Sequence, residues 1–195
     1  MKRSLPIVLS LIAIGVVGLR PAEVSGQGAA WVTLFNGTSL DGWNPIGNAN
    51  WELVDGAVQA DMGSGFLVTD RPYSDFELTL EFWVDEPANS GIFIRCADPT
   101  TVTDRNSYEV NIYDTRADQS YRTGGIVHIA SPTSVINAGG QWNTYEITAR
   151  GERLRVTLNG TEVVDVEDSQ FASGPIALQY GAGVVKFRNV RLRTL

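Results

Sequence analysis

From Phe76 to Trp83 the chain alternates without a break: Phe76, Leu78, Leu80 and Phe82 are apolar, and Glu77, Thr79, Glu81 and Trp83 stand between them. Successive side chains of an extended chain point to opposite faces, so this stretch predicts a strand with one face for a core and one for solvent. A sheet face of that kind is stable only when a second layer covers it. The same period recurs in a meander over Thr144 to Arg150, Arg153 to Leu158 and Thr161 to Val166. Asn159-Gly160 in that meander, and Asp55-Gly56 between Trp51 to Val54 and Ala57 to Ala60, are two-residue loops suited to tight hairpins because both positions tolerate positive φ. Shorter strands are predicted at Trp31 to Phe35, Gly65 to Val68, Ile92 to Cys96, Tyr108 to Asp114, Ile126 to Ile129, Gly174 to Gln179 and Val184 to Leu192. No stretch sustains a 3.6-residue apolar stripe, and one helical turn near Asp168 to Phe171 is the most helix expected. About a dozen short strands in one domain predict an all-β fold, a two-sheet antiparallel β-sandwich.

The first residues obey a different pattern. Lys2 and Arg3 precede an apolar run from Leu5 to Leu19 and small residues at Val24-Ser25-Gly26, the layout of a secretory signal peptide. Residues 1–26 are therefore expected to be removed, leaving a single domain over 27–195 in the periplasm or outside the cell, with membrane contact only through the signal segment. Removal takes Lys2, Arg3, Arg20 and Glu23 from 15 basic and 22 acidic side chains, so the mature chain carries 12 against 21, a net charge of −9. Such a surface repels nucleic acid and accommodates a neutral sugar more easily than a polyanion. Cys96 is the single cysteine, so no internal disulfide staples the exported fold.

The richest polar stretch is Tyr108 to Asp114. Tyr108, Val110 and Ile112 alternate with Glu109 and Asn111, which puts both polar side chains on one face. A bulge at Tyr113 would bring Asp114 to the same face. By parity Arg95 with Phe93, Glu81 with Trp83, and Gln179 also lie on the side away from the core, with Ile92, Ile94 and Cys96 inward. His128 is the only histidine, so a zinc site of the usual catalytic kind is not signalled, and no cofactor is expected, although a hard cation such as calcium held by loop carboxylates stays open.

Several motifs then occur in a familiar order: Leu34-Phe35-Asn36-Gly37 with Leu40-Asp41-Gly42-Trp43, Asn89-Ser90-Gly91-Ile92-Phe93-Ile94-Arg95, Tyr108 to Asp114, Thr123-Gly124-Gly125-Ile126, Gln141-Trp142-Asn143, Leu158-Asn159-Gly160, Gly174 to Gln179 and Phe187-Arg188-Asn189-Val190. This order resembles the bacterial family called domain of unknown function 1080, also described as 3-keto-disaccharide hydrolase. The resemblance implies a concanavalin A-like jelly roll and substrates that are glycosides oxidised to a ketone at sugar carbon 3. The chain departs from the family pattern at Asn111, where glutamine is usual, and at Tyr180-Gly181, where a histidine often follows.

A ketone at carbon 3 acidifies the hydrogen on carbon 2, so the group on carbon 1 can leave by elimination. That chemistry needs a base, a stabiliser of the enolate oxygen and an acid for the leaving group. The expected roles are Glu109 as base, Arg95 at the enolate, and Asp114 or His128 at the leaving group or water. Glu81, Trp83, Asn111 and Gln179 are expected to bind the sugar, Trp83 by stacking. Two other readings stand beside the enzyme: a non-catalytic carbohydrate-binding module that needs only the stacking aromatic and polar face, and a structural or adhesive exported domain with no small ligand; in either, Arg95 and Glu109 can be simply a cross-strand salt bridge.

Overall fold

The computed structural model describes residue 1 and residues 29–195; the expected signal segment lies outside the described residues. Thirteen strands follow in chain order: β1 (Val32–Phe35), β2 (Trp43–Gly47), β3 (Glu52–Val54), β4 (Ala57–Ala60), β5 (Gly65–Thr69), β6 (Phe76–Val84), β7 (Ser90–Ile94), β8 (Tyr108–Ile112), β9 (Trp142–Arg150), β10 (Arg153–Leu158), β11 (Thr161–Glu167), β12 (Ala177–Tyr180) and β13 (Val185–Thr194). They form two antiparallel sheets. The larger runs β11-β10-β9-β6-β13-β4-β3, with β1 also on β13, and the smaller runs β2-β5-β12-β7-β8. This is the expected two-sheet sandwich.

The alternation in β6 is realised residue by residue, since Phe76, Leu78, Leu80, Phe82 and Val84 are buried while the residues between them are half-exposed. These side chains meet Ile92, Ile94, Tyr108, Val110 and Ile112 of the smaller sheet in the main core. Each large apolar side chain buried there stabilises the fold by roughly 1.5–3 kcal/mol. Both expected hairpins form, with left-handed φ at Asp55 and Gly56 (50° and 77°) and at Asn159 and Gly160 (50° and 78°).

Local expectations fail in four places. Trp43–Gly47 is a strand although Asn44-Pro45 reads as loop; β2 is an edge strand, where the missing proline N–H costs no ladder bond. Ile126 to Ile129 is no strand: Ile126 makes isolated bridges to Val110 and Ala130, and His128 is left-handed with φ 66°. The helical turn is a 3-10 turn at Gln119–Tyr121, capped by the Asp118 side chain, not at residues 168–171. Finally, the β7–β8 ladder runs unbroken from Ser90↔Ile112 to Ile94↔Tyr108, so no bulge returns Asp114 to the face of Glu109.

Candidate functional site

The smaller sheet carries a second, outward layer. On β7, Gly91 stands opposite Asn111 and Phe93 opposite Glu109; on β12, Ala177 stands opposite Phe93. Period-two alternation therefore places Gln179, Gly91 and Asn111 in one outward row and Ala177, Phe93 and Glu109 in the next. Phe93, Val68, Cys96, Val102 and Ala177 form an apolar cluster on this face, with Ile46 and Phe66 against it. Loop 97–107 closes back on itself through Ala97 N–H to the Asn106 carbonyl and lays Val102 over the cluster.

Glu109 borders this apolar floor and is 6% exposed. Burial pushes its carboxyl up to about 7, the nearby Asp104 carboxylate adds to the rise, and Arg116 opposes it. Among the described residues no hydrogen bond to the carboxyl offsets the burial. A carboxyl in such a setting exchanges protons near neutrality, as a general base requires. Gly91 makes the space: a Cβ there would lie 3.2 Å from both Cγ and Oε1 of Glu109 and 3.3 Å from Cε2 of Phe93. A glycine inside a strand pattern signals close approach of another group, so this neighbour of Glu109 was discoverable from the sequence.

Two amides share the outward row beside Glu109. The Asn111 side chain donates to the Tyr121 carbonyl, which fixes its orientation and leaves its buried Oδ1 without a partner; the buried Oε1 of Gln179 has none either. Unpaired buried acceptors cost about 1–3 kcal/mol each; Asn111 is 0% exposed, so its amide braces the turn at Tyr121 and, against expectation, is closed to a sugar, whereas Gln179 is half-exposed. At the rim, His128 Nε2 lies 2.8 Å from Asp104 Oδ2, its ring packs edge-on against Tyr121 at 5.7 Å, and the adjacent Val127 N–H donates to the Glu109 carbonyl. Glu109, Asn111 and Gln179 thus share the outward face, and His128 is linked to Glu109 through Asp104. Among the described residues, no group of three or more His, Cys, Asp or Glu side chains is placed to hold a metal ion.

Four expected members of the site lie elsewhere. Arg95 adopts φ 53°, which breaks the alternation; its side chain turns away from Glu109 and Cys96 takes the outward place. The guanidinium is 1% exposed and donates to the carbonyls of Ser74, Gly151 and Phe171 and to Asp75, sealing the end of the larger sheet. Cys96 is equally enclosed, and burial pushes its thiol up to about 12, so it is not a nucleophile. Asp114, past the end of β8, accepts from Thr123 Oγ1 at 2.5 Å and from the backbone of Ala138 and Gly139 at 2.7 and 3.0 Å. Its oxygens are committed to holding two loops together.

Glu81 and Trp83 belong to the larger sheet, on the opposite outer face of the sandwich. Parity tells inside from outside but not which sheet a strand joins. Burial of Glu81 opposes its ionisation, yet hydrogen bonds from Asn189 and Arg188 outweigh it and hold the carboxyl below the usual range. Trp83 lies under Lys186 Nζ at 5.2 Å and Trp142 under Arg188 at 3.8 Å, so a sugar would have to displace a cation to stack there. A groove of about 490 Å³ lined by Trp31, Glu77, Thr79, Glu146 and Arg155 also lies on that far face.

The alignment model of 3-keto-alpha-glucoside-1,2-lyase-like domains matches residues 30–193. A curated 3-keto-disaccharide hydrolase from Bacteroides thetaiotaomicron is 28% identical over 103 residues, covering 46% of this chain and 34% of that protein. The chain therefore spans about a third of the length of that relative. Among solved structures, a protein of Parabacteroides distasonis provisionally assigned as a glycosyl hydrolase is 25% identical with a TM-score of 0.72, the match covering 85% of this chain and 100% of that one. The carbohydrate-binding module CBM66 of Bacillus subtilis, 20% identical with a TM-score of 0.62 over 78% of this chain and 96% of the module, shares the fold.

Proposed function

Because this chain belongs to the family of 3-keto-alpha-glucoside-1,2-lyase-like domains, we propose that it is an exported enzyme that cleaves glycosides bearing a ketone at sugar carbon 3. The observation that carries the reading is the Glu109 carboxyl, buried beside an apolar floor, with its proton affinity brought to about pH 7. Ionised Glu109 removes the proton on carbon 2, and the C–H electron pair forms the enolate of the carbon 3 ketone. As the ketone is restored, carbon 1 and carbon 2 become doubly bonded and the glycosidic oxygen leaves with the bonding pair. His128, held by Asp104 at 2.8 Å, supplies a proton to that oxygen. Water then adds at carbon 1 and a proton returns to carbon 2. Gln179, half-exposed in the outward row of Asn111, orients the sugar.

Incubation of the purified protein with 3-keto-trehalose and with unoxidised trehalose tests this directly. Release from the ketone substrate alone is expected, with kcat/KM rising about tenfold per pH unit on the acid side and levelling near pH 7. Glu109→Gln should lower kcat at least about a hundredfold. Binding of both sugars without release would identify a binding module of the same fold, and full turnover by Glu109→Gln would remove Glu109 from the base role.

A further inference from the structure

With Arg95 withdrawn into the end of the sandwich, the elimination chemistry still requires a positive group where charge develops on the carbon 3 oxygen. Arg116 lies on the loop between β8 and the 3-10 turn. The Asn111 side chain, on the outward face two residues from Glu109, donates to the Tyr121 carbonyl of that turn, so the loop leaves β8 and returns to the edge of the face that carries Glu109. Its course is tightly held. Gln119 Nε2 donates to the carbonyls of both Asp114 and Arg116. Gln119 Oε1 accepts from Arg122 Nη1 at 3.0 Å, and Arg122 is itself tied to Asn137. Asp114 fastens the start of the loop to residues 138–139.

This scaffold holds the backbone of Arg116 and leaves its side chain uncommitted: no hydrogen bond or ion pair engages the guanidinium among the described residues, although the side chain is half-buried. Arg122, Arg153, Arg155, Arg188 and Arg193 are all paired with carboxylates. The field of Arg116 reaches Glu109. Arg105, on the loop between β7 and β8, is exposed.

Resting on the function proposed above, we propose that Arg116 is the oxyanion-stabilising catalytic residue, donating to the carbon 3 oxygen of the bound keto-sugar as the enolate forms. A preorganised cationic donor of this kind acts on charge that exists only in the transition state. The unoxidised sugar offers a hydroxyl at that position, which gains far less from the guanidinium, so Arg116 also selects for the oxidised substrate.

The test is steady-state kinetics with 3-keto-trehalose on the full chain carrying Arg116→Gln, Arg116→Ala or Arg105→Gln. Arg116→Gln should reduce kcat about 10²–10³-fold with KM changed only a few-fold, guanidinium ion should restore part of the activity of Arg116→Ala, and Arg105→Gln should stay within about twofold of the parent. Arg116→Gln with kcat within about twofold of the parent overturns the assignment. A second measurement separates it from the function itself: carboxyl ¹³C NMR titration of Glu109, identified by its loss in Glu109→Gln. Loss of the Arg116 charge should move the Glu109 midpoint upward whether or not this substrate is turned over. An unchanged midpoint means that Arg116 is not at the site, whereas an inactive parent with a shifted midpoint refutes the substrate and upholds the placement.

Discussion

Replacing Glu109 by glutamine should make the protein more stable at alkaline pH even as it removes activity. The carboxyl is 6% exposed, and its folded-state value of about 7 lies above the ordinary 4.5. Between those values the folded chain binds a proton that the unfolded chain has released, so stability falls as pH rises from about 4.5 and levels off above about 7. The interval spans about 2.5 pH units, and at about 1.4 kcal/mol for each the parent at pH 8 carries a penalty of about 3 kcal/mol. Glutamine keeps the shape and cannot ionise. Urea unfolding of both proteins at pH 4, 5, 6, 7 and 8 should give curves that coincide at pH 4 and diverge by about 3 kcal/mol at pH 8, roughly 6–12 °C in Tm for a domain of this size. The Asp104 and Arg116 charges that act on the carboxyl are present in both proteins and cancel in the comparison to first order. If Glu109→Gln at pH 8 were no more stable than the parent, or if the gap persisted at pH 4, the buried-carboxyl account of this site would be wrong.

Other outcomes follow from the same geometry. Gly91→Ala places a methyl group 3.2 Å from Oε1 of Glu109 at a position with ordinary φ, so kcat should fall while stability drops by no more than about 1–3 kcal/mol, measured by kinetics and urea melts together. Gly174→Ala is the contrast: its Cβ would collide with the Cys96 carbonyl oxygen and lie 2.6 Å from the Arg95 carbonyl carbon, backbone that cannot swing aside, so soluble yield and Tm should collapse. Arg95→Met leaves the carbonyls of Ser74, Gly151 and Phe171 without their donor and should cost about 3–5 kcal/mol in denaturant unfolding, with substrate KM in the surviving folded fraction unchanged.

The sheet faces were legible because burial of one face enforces a two-residue period, and β6, β8 and β9 show it plainly. Glu109, Asn111 and Gln179 were placed outward by that rule, and the structure puts them there together. Arg95 escaped it because a single left-handed residue reverses parity, and its sequence neighbours give no sign of that φ. Glu81 escaped for another reason: strand pairing is a long-range property, and β6 joins β9 and β13 rather than β7. Edge strand β2 was hidden by Asn44-Pro45, a turn signal that an outermost strand tolerates. Arg116 and Asp104 sit in polar loops without periodicity, where only folded hydrogen bonds such as Asn111 to Tyr121 show which way the chain returns. The glycine at 91 was the one overlooked signal that the sequence displayed.

The seal made by Arg95 bears on the order in which the molecule assembles. Its acceptors come from segments 21, 56 and 76 residues away in the chain, and they meet only when the β9–β10 hairpin, the strand entering β6 and the segment after β11 have all reached the end of β7. Loop closures of that length are entropically late events. The guanidinium thus contributes little while the sandwich is half-built and locks it once complete, so its free energy resides in the unfolding barrier rather than in the speed of folding. For a chain whose single cysteine rules out an internal disulfide, such a latch lengthens the lifetime of the native state.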